Sequence, residues 1–291
     1  MYGIIVNPAS GGGKNDQIIG RVTDILAGRG EACRVFATEH ADDGEHQVRL
    51  AFESGCDAIV CIGGDGTLSE IVSEMADSGK TLYIVPNGTG NDFARALGLP
   101  KDPIEAFEAQ LDGMDARIDC GSINGHAFIN VSGSGFDVEV LRKTEELKKV
   151  YPGEKAYRKA VLAVLGSYRA FEAEVSIDGA PFRPIRSTII EVANGRYIGG
   201  GMHVAPGAQM QDGLFDVVVV DRVPRMLIPF VLPLFIIGAH VHLPIACVVK
   251  AKEVVLRAKN MVVNIDGNLK EMDEARFAIM PGALSMKLPK K

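Results

Sequence analysis

Over the first third of the chain, short apolar runs alternate with segments in which apolar residues recur every three or four positions. Tyr2–Asn7, Cys33–Ala37, Asp57–Ile62 and Thr81–Val85 are apolar runs of strand length, bounded by Gly, Pro, Asn or Asp. Between them, Asn15–Gly28 sets Ile18, Ile19, Val22, Ile25 and Leu26 on one helical stripe, Asp43–Ser54 follows suit, and another helix ends near Met75. Strands that are apolar on both faces are covered on both faces. The pattern therefore predicts a three-layer α/β unit with a parallel sheet. From about residue 115 a period of two takes over, in Arg117–Gly121, Ala127–Ser132, Glu174–Asp178, Ser187–Ala193, Phe215–Val220, Glu253–Arg257, Met261–Ile265, Ala275–Met280 and Ser285–Leu288. Helices are expected at Asp137–Leu147 and Lys155–Tyr168. Many short strands indicate a β-sandwich-like domain. The reading is an α/β domain over residues 1–121 followed by a β-rich domain over 122–291, with the extreme C-terminus free to pack back on the first.

Composition narrows the class. The 291 residues are 47% apolar and 23% charged, which excludes a disordered chain, and the 33 glycines follow no three-residue period, which excludes collagen. Residues 1–121 hold 9 Lys and Arg against 20 Asp and Glu, whereas residues 122–291 hold 22 against 17. An acidic half without tryptophan is a poor partner for nucleic acid. The milder basic half suits an anionic membrane surface, as do the seven basic residues of Arg142–Lys159, although a solvated helical face explains those equally. Five scattered cysteines and the absence of a basic leader before Tyr2 read as a reduced, cytoplasmic protein. Met226–Gly238 is the most apolar window, but 13 residues with Pro229 and Pro233 are too few to span a bilayer. A buried packing helix is its simplest reading, with contact to acyl chains or a membrane interface as the alternative.

Two loops carry the candidate chemistry. Gly63-Gly64-Asp65-Gly66-Thr67 follows an apolar strand and opens a helix, where glycines let backbone approach a phosphate and the helix N-terminus supplies free N–H donors. Asp65 would repel a bare phosphate, so its presence implies a Mg²⁺ between them. Asn87-Gly88-Thr89-Gly90-Asn91-Asp92 ends the neighbouring strand and adds a second carboxylate and a second hydroxyl. Asn7-Pro8-Ala9-Ser10-Gly11 ends another strand and completes a cradle. Lys14 beside it reads as a solvated lysine at a helix start.

These strings, with Gly-Thr-Gly-Asn-Asp-Phe-Ala at 88–94, Ala193-Asn194-Gly195-Arg196, Ala205-Pro206, Asp212-Gly213-Leu214, Gly238-Ala239-His240 and Ile265-Asp266-Gly267, resemble the diacylglycerol kinase catalytic-domain family, including its soluble bacterial lipid kinases. The second loop and the later signatures separate the chain from NAD kinases, which share Gly-Gly-Asp-Gly-Thr. The resemblance implies ATP in a cleft between the domains, lined by Asn7, Ser10, Gly11, Thr38, Gly63, Gly64, Asp65, Gly66, Thr67, Gly88 and Thr89. Asp65 and Asp92 would hold a Mg²⁺ network. A structural Mg²⁺ would sit on Asp212 and the carbonyls of Gln209 and Leu214. Asp266 would take the proton of a lipid hydroxyl. Asn268 stands where the family carries a glutamate, and an amide takes no proton at neutral pH. Glu271 is offset to the opposite strand face. The implied activity is transfer of the ATP γ-phosphoryl group to a diacylglycerol-like lipid at the inner face of a membrane. Another hydroxylated lipid, or a catalytically impaired regulatory relative, are the alternatives, and a homodimer is compatible with all of them.

Overall fold

The computed structural model describes residues 1–8, 15–151 and 154–290. Its first part runs β1 (Tyr2–Val6), α1 (Asn15–Gly28), β2 (Cys33–Ala37), α2 (Gly44–Glu53), β3 (Ala58–Gly63), α3 (Asp65–Met75), β4 (Thr81–Pro86), α4 (Asp92–Ala96) and α5 (Pro103–Leu111). β1 pairs in parallel with β2 and β3, and β3 with β4, so these strands end at one edge. Alternate side chains of the strands serve opposite faces. Ile4, Val6, Val60, Ile62 and Val85 pack with Val22, Leu26 and Phe107 of α1 and α5. Ile5, Ile59, Cys61 and Ile84 pack with Val48, Leu68, Ile71 and Phe93 of α2, α3 and α4. The sequence reading omits α5, although Asp102 caps it by accepting the Ile104 and Glu105 N–H groups and Pro103 begins it.

The second part contains β5 (Met114–Ile123), β6 (His126–Phe128), β7 (Val131–Gly135), α6 (Phe136–Lys148), α7 (Glu154–Ser167), β8 (Phe171–Ile177), β9 (Arg183–Ala193), β10 (Phe215–Asp221), α8 (Ile228–Ile236), β11 (Ala246–Ala251), β12 (Glu253–Ile265) and β13 (Asn268–Leu288). Apart from β4, which β13 joins in parallel, the ladders here are antiparallel. Two expected strand pairs are single long strands. β12 shifts register between Arg257 and Met261, and β13 shifts against β5 between Met280 and Leu284, where Pro281-Gly282 forms the irregularity. One face of β9 and β10 buries Ile190, Val192, Phe215 and Val217 against β12 and β13 residues such as Val263 and Phe277. The other buries Ile189, Ala193, Val218 and Val220 under α6, α7 and α8.

The end of β13 joins the halves, because Ser285 and Met286 pair with Thr81 and Leu82 of β4. This alignment carries the β12–β13 hairpin to the edge where β3 and β4 end. The strand network is continuous through β12–β13–β4–β3, so hydrogen-bonded backbone connects the two halves.

Candidate active site

The β3 and β4 loops meet backbone to backbone. A Cβ on Gly88 would lie 2.5 Å from the Gly64 Cα, and one on Gly64 would lie 2.9 Å from the Gly88 Cα. Only glycine permits this approach. Asn91, at φ 50°, folds the second loop by accepting the Gly88 N–H and donating to its carbonyl, both at 2.9 Å. Asp65 then reaches across and accepts the N–H groups of Asp92 at 3.0 Å and Phe93 at 3.1 Å. Its first task is therefore to bind the two loops together. Asn15 extends the tie, taking the Asn87 amide at 2.6 Å and donating to the Asn7 carbonyl at 2.9 Å. The Thr38 N–H donates to Val6 at 2.9 Å, so the ends of β1 and β2 are also at this edge. Ser10, Gly11 and Lys14 lie outside the described residues.

Asp92 is buried, its Oδ2 accepting the Gly200 N–H at 2.7 Å and its Oδ1 pairing with Arg95 at 2.7 Å. The carboxylate thus fastens the Gly199–Gly201 loop of the second half onto the first. Burial raises its pKa, the Gly200 amide opposes that, and the Asp65 charge raises it further.

Across the cleft, Asp266 turns the β12–β13 hairpin at φ 48°. It accepts the N–H groups of Ile129 at 2.7 Å, Asn130 at 2.9 Å and Val131 at 3.1 Å. Burial pushes its carboxyl up to about 6 in spite of these amides, and the Asp65 charge adds to the rise. A carboxylate offers about four lone-pair sites, so one remains after three amides are served. Asn268 donates to the Ser69 hydroxyl of α3 at 3.2 Å, a direct strut between the halves.

Asp65, Gly66, Thr89, Asp92, Asp266 and Asn268 line one cleft of 430 Å³, while Gly63, Gly64 and Gly88 form the loops behind it. Thr67 is buried against Gly63. Gln209, Asp212 and Leu214 do not line this cleft. Asp212 Oδ1 accepts the Leu214 N–H at 3.1 Å, and its Oδ2 pairs at 2.9 Å with Lys250, which also meets Asp216 at 2.6 Å. Register sets this contact, since β10 and β11 place Asp216 directly opposite Lys250. Among the described residues, no group of three or more His, Cys, Asp or Glu side chains is placed to hold a metal ion. That leaves room for an ion shared between one or two carboxylates and substrate phosphates, the usual way Mg²⁺ is held.

Asp137 on the wall of this cleft belongs to a carboxyl pair that the sequence reading omits. Glu191 of β9 is fully buried and faces Asp137 in the first turn of α6. Gly133 makes the space, since a Cβ there would meet a Glu191 carboxyl oxygen at 2.2 Å. Neither Glu191 oxygen nor Asp137 Oδ1 meets a donor, so a proton shared between the two carboxyls satisfies them. Burial drives the Glu191 pKa far up, helped by the Asp137 charge. Asn264 donates to Asp137 Oδ2 at 3.4 Å. Glycines 133 and 135 in the run Val131-Ser132-Gly133-Ser134-Gly135 were the available signal. Beyond Asp137, an apolar slot of 60 Å³ continues from the cleft, which it joins at Val140, Ile198 and Met202, to Phe235 of α8.

Residues 1–123 match the diacylglycerol kinase catalytic domain, and residues 130–288 match the YegS C-terminal NAD kinase beta sandwich-like domain. The chain is similar to a diacylglycerol kinase of Bacillus subtilis, 30% identical over 99% of this chain and 96% of that one. It is also similar to a YegS-like lipid kinase candidate of Pseudomonas aeruginosa, 35% identical over 90% and 86%. A solved chain from Bacillus anthracis, a candidate diacylglycerol kinase, superposes with a TM-score of 0.79 at 25% identity, covering 99% of this chain and 94% of that one.

Proposed function

The chain belongs to the diacylglycerol kinase catalytic-domain family and is a lipid kinase, and on that premise we propose that it moves the γ-phosphoryl group of ATP to the hydroxyl of a diacylglycerol-like lipid, giving a phosphatidic-acid-like product. The observation that carries the reading is one cleft in which Asp65, Asp92 and Asp266 share the walls with Val140, Leu141, Ile198 and Met202, beside an apolar slot that has Asp137, Val140, Ile198 and Met202 in common with it. The part lined by carboxylates and glycines suits a triphosphate and a hydroxyl, and the apolar part that runs into the slot suits the first methylenes of an acyl chain. Asn7, Thr38, Gly63 to Thr67, Gly88 and Thr89 would seat ATP, together with Ser10 and Gly11. Asp65 and Asp92 would face its Mg²⁺. The donor set fits a hard cation, since the mutual charge of Asp65, Asp92 and Asp266 would otherwise repel the phosphates. When bound, that ion would neutralise phosphate charge.

The acceptor hydroxyl oxygen attacks the γ-phosphorus, and the bond to the β–γ bridging oxygen breaks. ADP leaves with the bonding electrons, and the hydroxyl proton passes to Asp266 through the lone pair that its amides leave open. Such transfer is mostly positioning, which the Asp65, Asp92 and Asn268 ties between loops and halves supply. We place this work at the inner face of the cytoplasmic membrane, with the protein attached peripherally. Among the described residues no helix is long and apolar enough to cross a bilayer.

The test is phosphorylation of lipid in mixed micelles with radiolabelled ATP, with and without Mg²⁺, offering diacylglycerol, phosphatidylglycerol and a sphingoid base. Mg²⁺-dependent label on diacylglycerol above the others is expected, and preference for another lipid would reassign the acceptor. The Asn268–Ser69 contact favours one second reading, a nucleotide-binding relative with impaired catalysis. A gain of more than about tenfold in Asn268→Glu would support it, and robust wild-type turnover would dismiss it.

A further inference from the structure

Helix α8 is apolar on both sides. Its inner side, Ile228, Val231, Leu232 and Phe235, lines the slot. Its outer side is bare: Phe230 is 74% exposed, with Met226 at 80% and Leu227 at 51% just before the helix and Ile237 at 68% after it. From Val223 to His240 there is no acidic residue. The expected packing helix is therefore packed on one face only.

Beside this face lies a second concavity, 610 Å³ in volume, whose wall includes Met226 and four arginines, Arg169, Arg186, Arg222 and Arg225. Glu172 is the one acidic residue there and is paired with Arg186 at 3.0 Å. Arg225 donates to the Gly166 carbonyl at 3.2 Å. Among the described residues the Arg169 and Arg222 guanidiniums have no hydrogen-bond or ion-pair partner. The concavity shares no lining residue with the catalytic cleft.

We propose that this arginine-walled concavity and the outer face of α8 form one docking surface for an anionic phospholipid bilayer. Phosphate headgroups would lie against Arg169 and Arg222, and Phe230, Met226 and Leu227 would sink to the acyl boundary. Guanidinium forks match phosphate oxygens, and apolar side chains next to basic ones suit the headgroup boundary. The occupant follows from charge and continuity. A second copy docked with this concavity on the two-fold axis would set arginines against arginines. A bilayer relieves that charge and lies beside the helix whose other face lines the slot. The proposal rests on the chain being a kinase for membrane lipid, and names the surface through which that lipid reaches it.

The test needs no ATP. The intact protein is floated with phosphatidylcholine vesicles, alone or with 30 mol% phosphatidic acid or phosphatidylserine, at low and high NaCl. Binding to the anionic vesicles that weakens with salt is expected. Arg169→Glu with Arg222→Glu should weaken it by at least roughly 30-fold, and Phe230→Ser by roughly tenfold. Both variants should keep the wild-type melting curve and wild-type phosphorylation of a short-chain acceptor dispersed in water. Equal binding to neutral and anionic vesicles, or variants that bind like wild type, would overturn the proposal. So would displacement by 10 mM inorganic phosphate, which would assign the arginines to a soluble anion, or a dimer abolished by Phe230→Ser. Vesicle binding without turnover of any lipid would count against the kinase reading alone.

Discussion

On the wall of the cleft formed by residues 63–92, backbone touches backbone, with Gly64 against Gly88 and one carboxylate, Asp65, gathering two amides. On the opposite wall, formed by β7, α6 and the β12–β13 hairpin, the contacts come from side chains far apart in the chain: Asp266 on Ile129 to Val131, and Glu191 on Asp137. The first wall excludes side chains. The second is governed by the balance of donors, acceptors and protons. The two should therefore fail in different ways.

Asp266 offers the largest effect. In Asp266→Ala three amide donors lose their acceptor, which should cost about 3 kcal/mol or more in urea unfolding. Asp266→Asn will not isolate the chemistry, since its NH₂ would face an amide donor, so stability should fall there as well. If Asp266 takes the hydroxyl proton, wild-type turnover should decline below a pH of about 6, where the carboxyl protonates. A flat rate between pH 5 and 7 would leave Asp266 only its bracing role. Gly88→Ala comes next and breaks the other wall. Its Cβ would press at 2.5 Å on a Cα that cannot rotate away, so kcat/KM should fall roughly 100-fold by misplacing Asp65 and Thr89. A wild-type rate would show that the loops have slack.

The same contrast explains what was legible in the sequence. The glycine wall is contiguous in the chain, so its residue types and its place after apolar strands could be read together. The change of period near residue 115 was equally local. The side-chain wall was not, because residues 137 and 191 meet only through the β7–β9 register, in which Gly133 opposes Glu191. The contact of Lys250 with Asp212 and Asp216 is illegible for the same reason, since it depends on the β10–β11 register. The length of β13 was obscured by Pro281-Gly282, which mimics a turn but only shifts the register. Exposure of α8 was invisible because apolar periodicity reports a preference for leaving water and cannot say whether protein or lipid provides the cover.

Glu191→Gln tests the side-chain wall by its proton. With its pKa raised by burial, the native carboxyl keeps a proton that the unfolded chain releases as pH rises above about 4.5. Unfolding free energy should thus fall with pH through that group, by up to about 1.4 kcal/mol per unit. The glutamine amide can donate to Asp137 at every pH, so the variant should match wild type in acid and overtake it as pH increases. Asp92 and Asp266, also raised, contribute the same slope to both proteins and cancel in the difference, whereas Asp137 is coupled to residue 191 and its titration is part of that difference. Parallel curves would mean that Glu191 is ionised in the fold.

The smallest effect belongs to Lys250, away from both walls. Replacing it by Met leaves Asp212 and the buried Asp216 without their cation. Solvent reaches the ammonium, which limits the loss to about 1 kcal/mol. Wild type, with its own ammonium in place, should melt at the same temperature in EDTA and in millimolar Mg²⁺. Lys250→Met should melt lower in EDTA and recover with Mg²⁺, because two carboxylates then face an empty space that a hard cation suits. If Mg²⁺ instead raises the melting temperature of the wild type while Lys250→Met is unaffected, the loop is a metal site after all and the lysine a bystander.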